Sequence, residues 1–233
     1  MARITRKELK TDKFALEVGH TVTFFEDHQK ELLRYGAGAI VLILLIVGYM
    51  MYSGRQHAAR QEVLARAISI QEAPVGAPTP GQNQNFPTQE VKDDVALKAF
   101  TELQSKYPGS DEGAIATYYV GSIKADQGKL AEAEKNFKEV ADRADAKYAS
   151  LGKFALAQIY FADGRADQGE STLRDLMAHP TIYVSKEQAA IALARFLMPK
   201  KPAESRKLLD PLRTQPGAVG QTAIQVYGEL PPQ

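Results

Sequence analysis

Hydrophobic positions follow two rhythms along this chain. The first is one unbroken apolar run, Gly36 to Tyr52 (GAGAIVLILLIVGYMMY), with Tyr35 leading in and no charged residue inside. Its centre, Ile40 to Val47, is entirely branched aliphatic. At about −0.3 to −0.6 kcal/mol per residue near a bilayer centre, that block favours the membrane by roughly 2.5 to 5 kcal/mol. A helix from Tyr35 to Tyr52 rises about 27 Å, close to a hydrocarbon core of roughly 30 Å. Tyr35, Tyr49 and Tyr52 then sit where ring hydroxyls reach headgroups. A buried core helix is the bland alternative, but a soluble helix of this length keeps a polar face. The 34 residues ahead of it exceed a usual signal-peptide n-region, and bulky Tyr49 to Tyr52 stand where a small-residue cleavage site would follow. The run therefore predicts an uncleaved transmembrane helix over 35–52.

The second rhythm is helical amphipathicity on either side. In residues 1–34, Thr5 with Glu8 fits a capping box. Val18, Val22, Phe25, Gln29 and Leu32 recur at four-then-three spacing, giving a narrow stripe that suits a helix resting in the headgroups, with Phe24 and Phe25 as interface residues. A plain tail with two exposed phenylalanines is the other reading. Residues 53–71 carry good helix formers, with Ala59, Val63, Ala67 and Ile70 on one side, and predict a helix leaving the membrane. Residues 72–90 are rich in Pro, Gly and Asn and read as a linker or long loop.

From 91 to 230 the pattern becomes a series of amphipathic helices. Ala96, Phe100 and Leu103 share a face before the stop Tyr107-Pro108-Gly109. Periodicity predicts helices over 114–127, 130–141, 153–162 and 165–178, the first and third closed by Gly128 and Gly164. Ser185 with Gln188 opens another by a capping box, running to Leu197. Pro202 suits a first helical position, and Pro211 must kink or end the helix it begins. A last helix is expected over 218–230.

The two turn glycines, Gly128 and Gly164, stand 36 residues apart, near the tetratricopeptide period of about 34. Val120-Gly121, Gly128, Ala133 and Phe137 resemble the small and large positions of that family's repeat. Leu156-Ala157, Tyr160, Gly164 and Leu173 repeat them, with Gly169 where alanine is usual. Leu193-Ala194 and Leu197 start a third copy, one residue shorter at its turn. Ala96, Phe100 and Pro108 match the second half of an earlier copy whose first half is not evident. The fold class is thus all-α: a single N-terminal transmembrane helix followed by a tetratricopeptide-like α-solenoid, with an ordinary helical bundle as the alternative.

The whole layout, a charged N-terminal segment, one anchor, a helix and degenerate repeats, resembles the YfgM-like family of membrane-anchored repeat proteins, which includes the ancillary subunit of the Sec translocon. That resemblance implies a bacterial inner-membrane protein with a cytoplasmic N-terminus and a periplasmic repeat domain. It also implies partners among SecYEG, periplasmic chaperones and unfolded clients. The longer N-terminal tail and the proline-rich insertion depart from the family pattern and leave the exact partner open. An envelope scaffold or assembly factor unrelated to Sec, or a cytoplasm-facing adaptor of reversed topology, are the rival readings.

Charge changes this picture in two ways. The net charge is +1, and past Tyr52 basic and acidic residues balance at 22 each, which argues against nucleic acid. Seven Lys and Arg in the first 34 residues favour a cytoplasmic N-terminus. Next to the anchor, however, Lys30 and Arg34 face Arg55, Arg60 and Arg66, so the local count alone does not decide. Candidate chemistry changes it less. There is no cysteine, and His20, His28, His57 and His179 have no metal-ligand spacing. No phosphate loop, dinucleotide glycine signature or nucleophile elbow occurs. The expectation is no enzyme, no cofactor, no metal and no small-molecule substrate. If the first helix of each pair lines a groove, as in tetratricopeptide stacks, the wall comprises Ile115, Tyr118 and Ser122, then Phe154, Gln158 and Phe161, then Gln188, Ile191 and Arg195. It lacks the several Lys and Asn of the family's carboxylate clamp. Such a wall suits an extended polypeptide or a partner's amphipathic helix; the alternative is that the chain's own helices cover these rings.

Overall fold

The computed structural model describes residues 29–77 and 84–231. The N-terminal capping box and the stripe with Phe24 and Phe25 lie outside the described residues. Among those described there are nine helices and no strand: α1 (Gln29–Glu72), α2 (Gln89–Lys106), α3 (Asp111–Asp126), α4 (Leu130–Arg143), α5 (Ala146–Ala162), α6 (Ala166–Ala178), α7 (Lys186–Leu197), α8 (Pro202–Leu209) and α9 (Ala218–Gly228). The chain divides into two compact units, Met1–Ala58 and Ala59–Gln233.

In the first unit α1 carries the apolar run. Leu33–Glu72 includes a window with mean hydropathy 2.0, none of it buried, long and apolar enough to cross a membrane. Tyr35, Tyr49 and Tyr52 are exposed on it, and Gln56 Nε2 donates to the Tyr52 hydroxyl at 3.2 Å.

The second unit is a stack without a single centre. Four apolar clusters run along it, and each is shared by neighbouring helices. The first joins Leu64 and Ala67 of α1 to Ala96, Phe100 and Leu103 of α2 and Ala116, Val120 and Ile123 of α3. Phe100 stacks on Tyr119 at 4.6 Å between ring centroids. The missing first half of the earliest repeat is therefore the end of α1, anchored also by Arg60 Nε donating to Glu112 Oε2 at 3.1 Å. Ala133 and Phe137 of α4 meet Ala155, Leu156 and Ile159 of α5 in the next cluster. Leu173 and Leu176 of α6 pack with Ala157, Leu193 and Leu197, and Leu209 and Leu212 pack with Ala194, Ala223 and Val226.

Local chemistry sets the ends of the helices. Gly128 and Gly164 both take the left-handed conformation, at φ 73° and 76°. Each is followed by the same 6→1 closure, Lys129 N–H to Lys124 O at 2.8 Å and Arg165 N–H to Tyr160 O at 2.7 Å. Ser185 Oγ accepts from Gln188 N–H at 3.1 Å, as its capping position predicts. Pro202 opens α8, and the helix ends at Leu209 before Pro211. At the proline-rich stretch, Gly76 N–H donates to Phe86 O at 2.9 Å and Phe86 N–H to Pro74 O at 3.1 Å, so the two ends of this segment meet.

Small residues decide how closely the helices approach. A Cβ on Gly121 would lie 2.7 Å from the Phe137 ring, and one on Gly152 would lie 2.8 Å from the backbone of α4. This explains why α5 starts at Ala146, with Asp145 as its cap, rather than at Lys153: Gly152 is a contact point inside the helix and not a break. Gly169 takes the place of the usual alanine because Phe161 lies over it, 2.6 Å from where a Cβ would be. Phe161 in turn stacks on Phe196 at 3.9 Å, with the rings 7° from parallel.

Ion pairs repeat with the stack. Arg165 at the start of α6 donates from Nη1 and Nη2 to Glu134 of α4, at 3.0 and 2.6 Å. Lys201 at the start of α8 donates to Glu170 of α6 at 3.0 Å, across the same separation of 31 residues. One repeat earlier the equivalent positions are Lys98 and Lys129, both basic, and Lys129 bonds Gln127 instead. Hydrogen bonds from Arg165, then from Lys138, hold the Glu134 carboxyl at about 2. Bonds from Arg174, then Lys201, lower Glu170 likewise.

Both carboxyls have folded pKa values below the unfolded value of about 4.3, so their stabilisation is complete above that pH and is lost as pH falls through the folded values, about 2 for Glu134. The melting temperature, followed by circular dichroism from pH 7 to pH 2, is expected to fall steeply below about pH 4.5. A Glu134→Gln, Glu170→Gln double variant should start lower at pH 7 and lose less over that acid interval. Gly169→Ala should lower stability by about 1 kcal/mol, because overpacking against Phe161 outweighs the gain in helix propensity. In a Phe161→Leu background the same substitution should become neutral or stabilising, as chemical denaturation of the four variants would read.

Candidate functional site

Residues four apart on a helix share a face, and this places Phe154 and Gln158 together on α5. On α7, Gln188, Ile191, Ala192, Arg195 and Phe196 follow the spacing of a complete helical face. The two faces, joined by Ser185 at the α7 cap, line an open cleft of about 660 Å³ in the second unit. Helix α9 closes its far side with Ala218, Val219 and Thr222.

The lining is layered by polarity. Ile191 is 8 % exposed and forms part of the floor, with Phe154, Ala192, Phe196 and Val219 half-buried around it. Gln158, Gln188 and Arg195 are exposed at the rim, joined by the half-buried hydroxyls of Ser185 and Thr222. Arg195 is the one charged residue in this lining, and no acidic residue lines it. Among the described residues Arg195 makes no ion pair.

Five of the nine groove residues expected from repeat logic thus come together here: Phe154, Gln158, Gln188, Ile191 and Arg195. Phe161 lies outside the lining, behind Phe196 and over Gly169. The three α3 residues are elsewhere and half-buried. Ile115 packs on the first apolar cluster. Tyr118 sits 5.6 Å from the Phe137 ring and edge-on to Tyr119, and Ser122 Oγ donates to Tyr118 O at 3.1 Å. The sequence reading missed Ala192 and Phe196, which its own spacing on α7 contained, and α9, which the next repeat period would have supplied.

A second depression, about 490 Å³, includes Lys153, Tyr160 and Asp175 in its lining. Its charges are already matched, with Lys153 Nζ donating to Asp175 Oδ2 at 2.8 Å. Among the described residues no group of three or more His, Cys, Asp or Glu is placed to hold a metal ion. The larger cleft can hold an apolar segment and hydrogen-bond along it; its lining contains no paired acid and base.

No curated protein and no solved structure matches the chain significantly. The model of the tetratricopeptide repeat-like domain family matches residues 24–199, which take in the apolar run, the α1 end that completes the first repeat, and the helices through α7. Domains of this kind generally mediate protein–protein binding and are non-catalytic. With three-quarters of its length matched and its helices stacked in pairs, the chain belongs to the tetratricopeptide repeat-like domain family.

Proposed function

We propose that this chain is a non-catalytic, membrane-anchored protein-interaction module of the YfgM-like kind, working beside the Sec translocon and binding polypeptide segments. In this reading 1–34 is a cytoplasmic tail, 35–52 spans the bacterial inner membrane, and 53–71 leaves it. Residues 72–90 connect the end of that helix to the helices of 91–230, and both belong to a periplasmic repeat domain. SecYEG, periplasmic chaperones and unfolded clients are the partners. The observation that carries the binding role is the cleft: an apolar floor with amide and hydroxyl groups at its rim, on the face that tetratricopeptide stacks use. The layout of charged tail, apolar run and repeats supports the Sec assignment.

Crosslinking mass spectrometry in native membranes tests this directly. Crosslinks from α5 and α7 to translocon chains or to periplasmic chaperones are expected, with the repeat domain degraded by protease added to intact spheroplasts and protected in inverted inner-membrane vesicles. Recovery of envelope proteins without any translocon chain would replace the reading by an envelope scaffold. Cleavage of the domain from the cytoplasmic side would reverse the topology.

A further inference from the structure

We propose that the cleft between α5, α7 and α9 selects short polypeptide segments that carry apolar side chains and one acidic side chain, with Arg195 as the specificity-determining residue. This rests on the reading of the cleft as a docking site and names what docks there.

Charge carries the choice. An occupant lying over the floor covers the rim, and Arg195 stands there with no ion pair among the described residues. Covering a guanidinium without an anion leaves it desolvated and unmatched, which is unfavourable. A carboxylate gives it a planar, two-point, charge-assisted partner. A lysine at the same place meets like charge. The remaining lining is neutral, so one acidic group is what complementarity asks for.

The rim amides favour polypeptide over an acyl chain. Gln158 on α5 and Gln188 on α7 are exposed, and each offers two donors and an acceptor. A peptide group presents the matching N–H and C=O, whereas a hydrocarbon tail presents neither. A cleft of about 660 Å³ lies within the roughly 300–1,000 Å³ of small-ligand sites, room for a short segment's side chains. The lining holds no Lys and no Asn to gather around a chain terminus, so the anion is a side-chain carboxylate within the segment.

The test uses full-length protein in detergent and a fluorescent decapeptide, acetylated and amidated, with two leucines and one glutamate. Two more peptides replace the glutamate by glutamine or by lysine. Anisotropy titration should show about tenfold weaker binding for the glutamine peptide and a larger loss for the lysine peptide. Arg195→Gln should erase the difference, and Arg195→Glu should invert it. Arg195 is exposed, so these variants keep the fold, which far-ultraviolet circular dichroism checks. If all three peptides bind within twofold of each other and Gln158→Ala weakens them, docking stands and the acidic preference is wrong. If no peptide binds, the docking reading itself fails. If oleate binds in an Arg195-dependent way and no peptide does, the occupant is a lipid and the proposal is overturned.

Discussion

The structure depends on close approach between helices that cannot stand alone. Helix α4 shows the constraint. It buries Ala133, Asn136, Phe137 and Val140, and no single repeat covers such a set alone. Covering it requires neighbouring backbones close on both sides. Gly121 and Gly152 provide this on both flanks of α4, one meeting the Phe137 ring and the other the α4 backbone itself. Gly169 does the same for Phe161 one repeat later. Two of these contacts set a glycine against a ring and the third sets one against backbone, and in each the missing side chain is what lets the helices meet.

From this the position of the cleft follows. Phe161 is drawn down onto Gly169 and stacks on Phe196, so one end of the α5–α7 interface is closed by rings. Along the rest of that interface Phe154 and Ile191 line open space instead of meeting each other, and α9 bounds it. The repeated ion pairs Glu134–Arg165 and Glu170–Lys201 lie among helices α4, α6 and α8 and contribute nothing to the lining. Charge is therefore spent on register in one set of helices, while the cleft lining on the other set carries no charge but Arg195, which makes no ion pair among the described residues. That division leaves an open apolar cleft on the stack without loosening its core.

How much of this was legible in the sequence varies with the signal each residue gives. Gly128 and Gly164 announce themselves, because only glycine takes the left-handed turn without strain and the period exposes the pair. Ser185 and Pro202 were equally readable, since capping and first-position proline act within one turn of chain. The first half-repeat was hidden. Leu64 and Ala67 sit on the same helix as the apolar run, which passes through Ser53-Gly54 without a break, so local pattern assigns them to the membrane exit when their partners are Phe100 and Val120. The start of α5 was also hidden: the periodicity over 153–162 leaves out the turns from Ala146, where Gly152 is a point of contact with α4. For the cleft, spacing on α5 and α7 found Phe154, Gln158, Gln188, Ile191 and Arg195. It could not tell that Tyr118 turns toward Phe137 or that Phe161 turns toward Gly169, because those choices are made by tertiary packing.

The last turns of α1 form the opening half of the repeat stack, and hydrogen–deuterium exchange on the full-length protein in detergent micelles reads this out. Amides of residues 61–71 are expected to exchange as slowly as those of α2 and α3 and to be released together with them as denaturant is added. Rapid exchange over 61–71 while α2 and α3 stay protected would put these turns outside the stack.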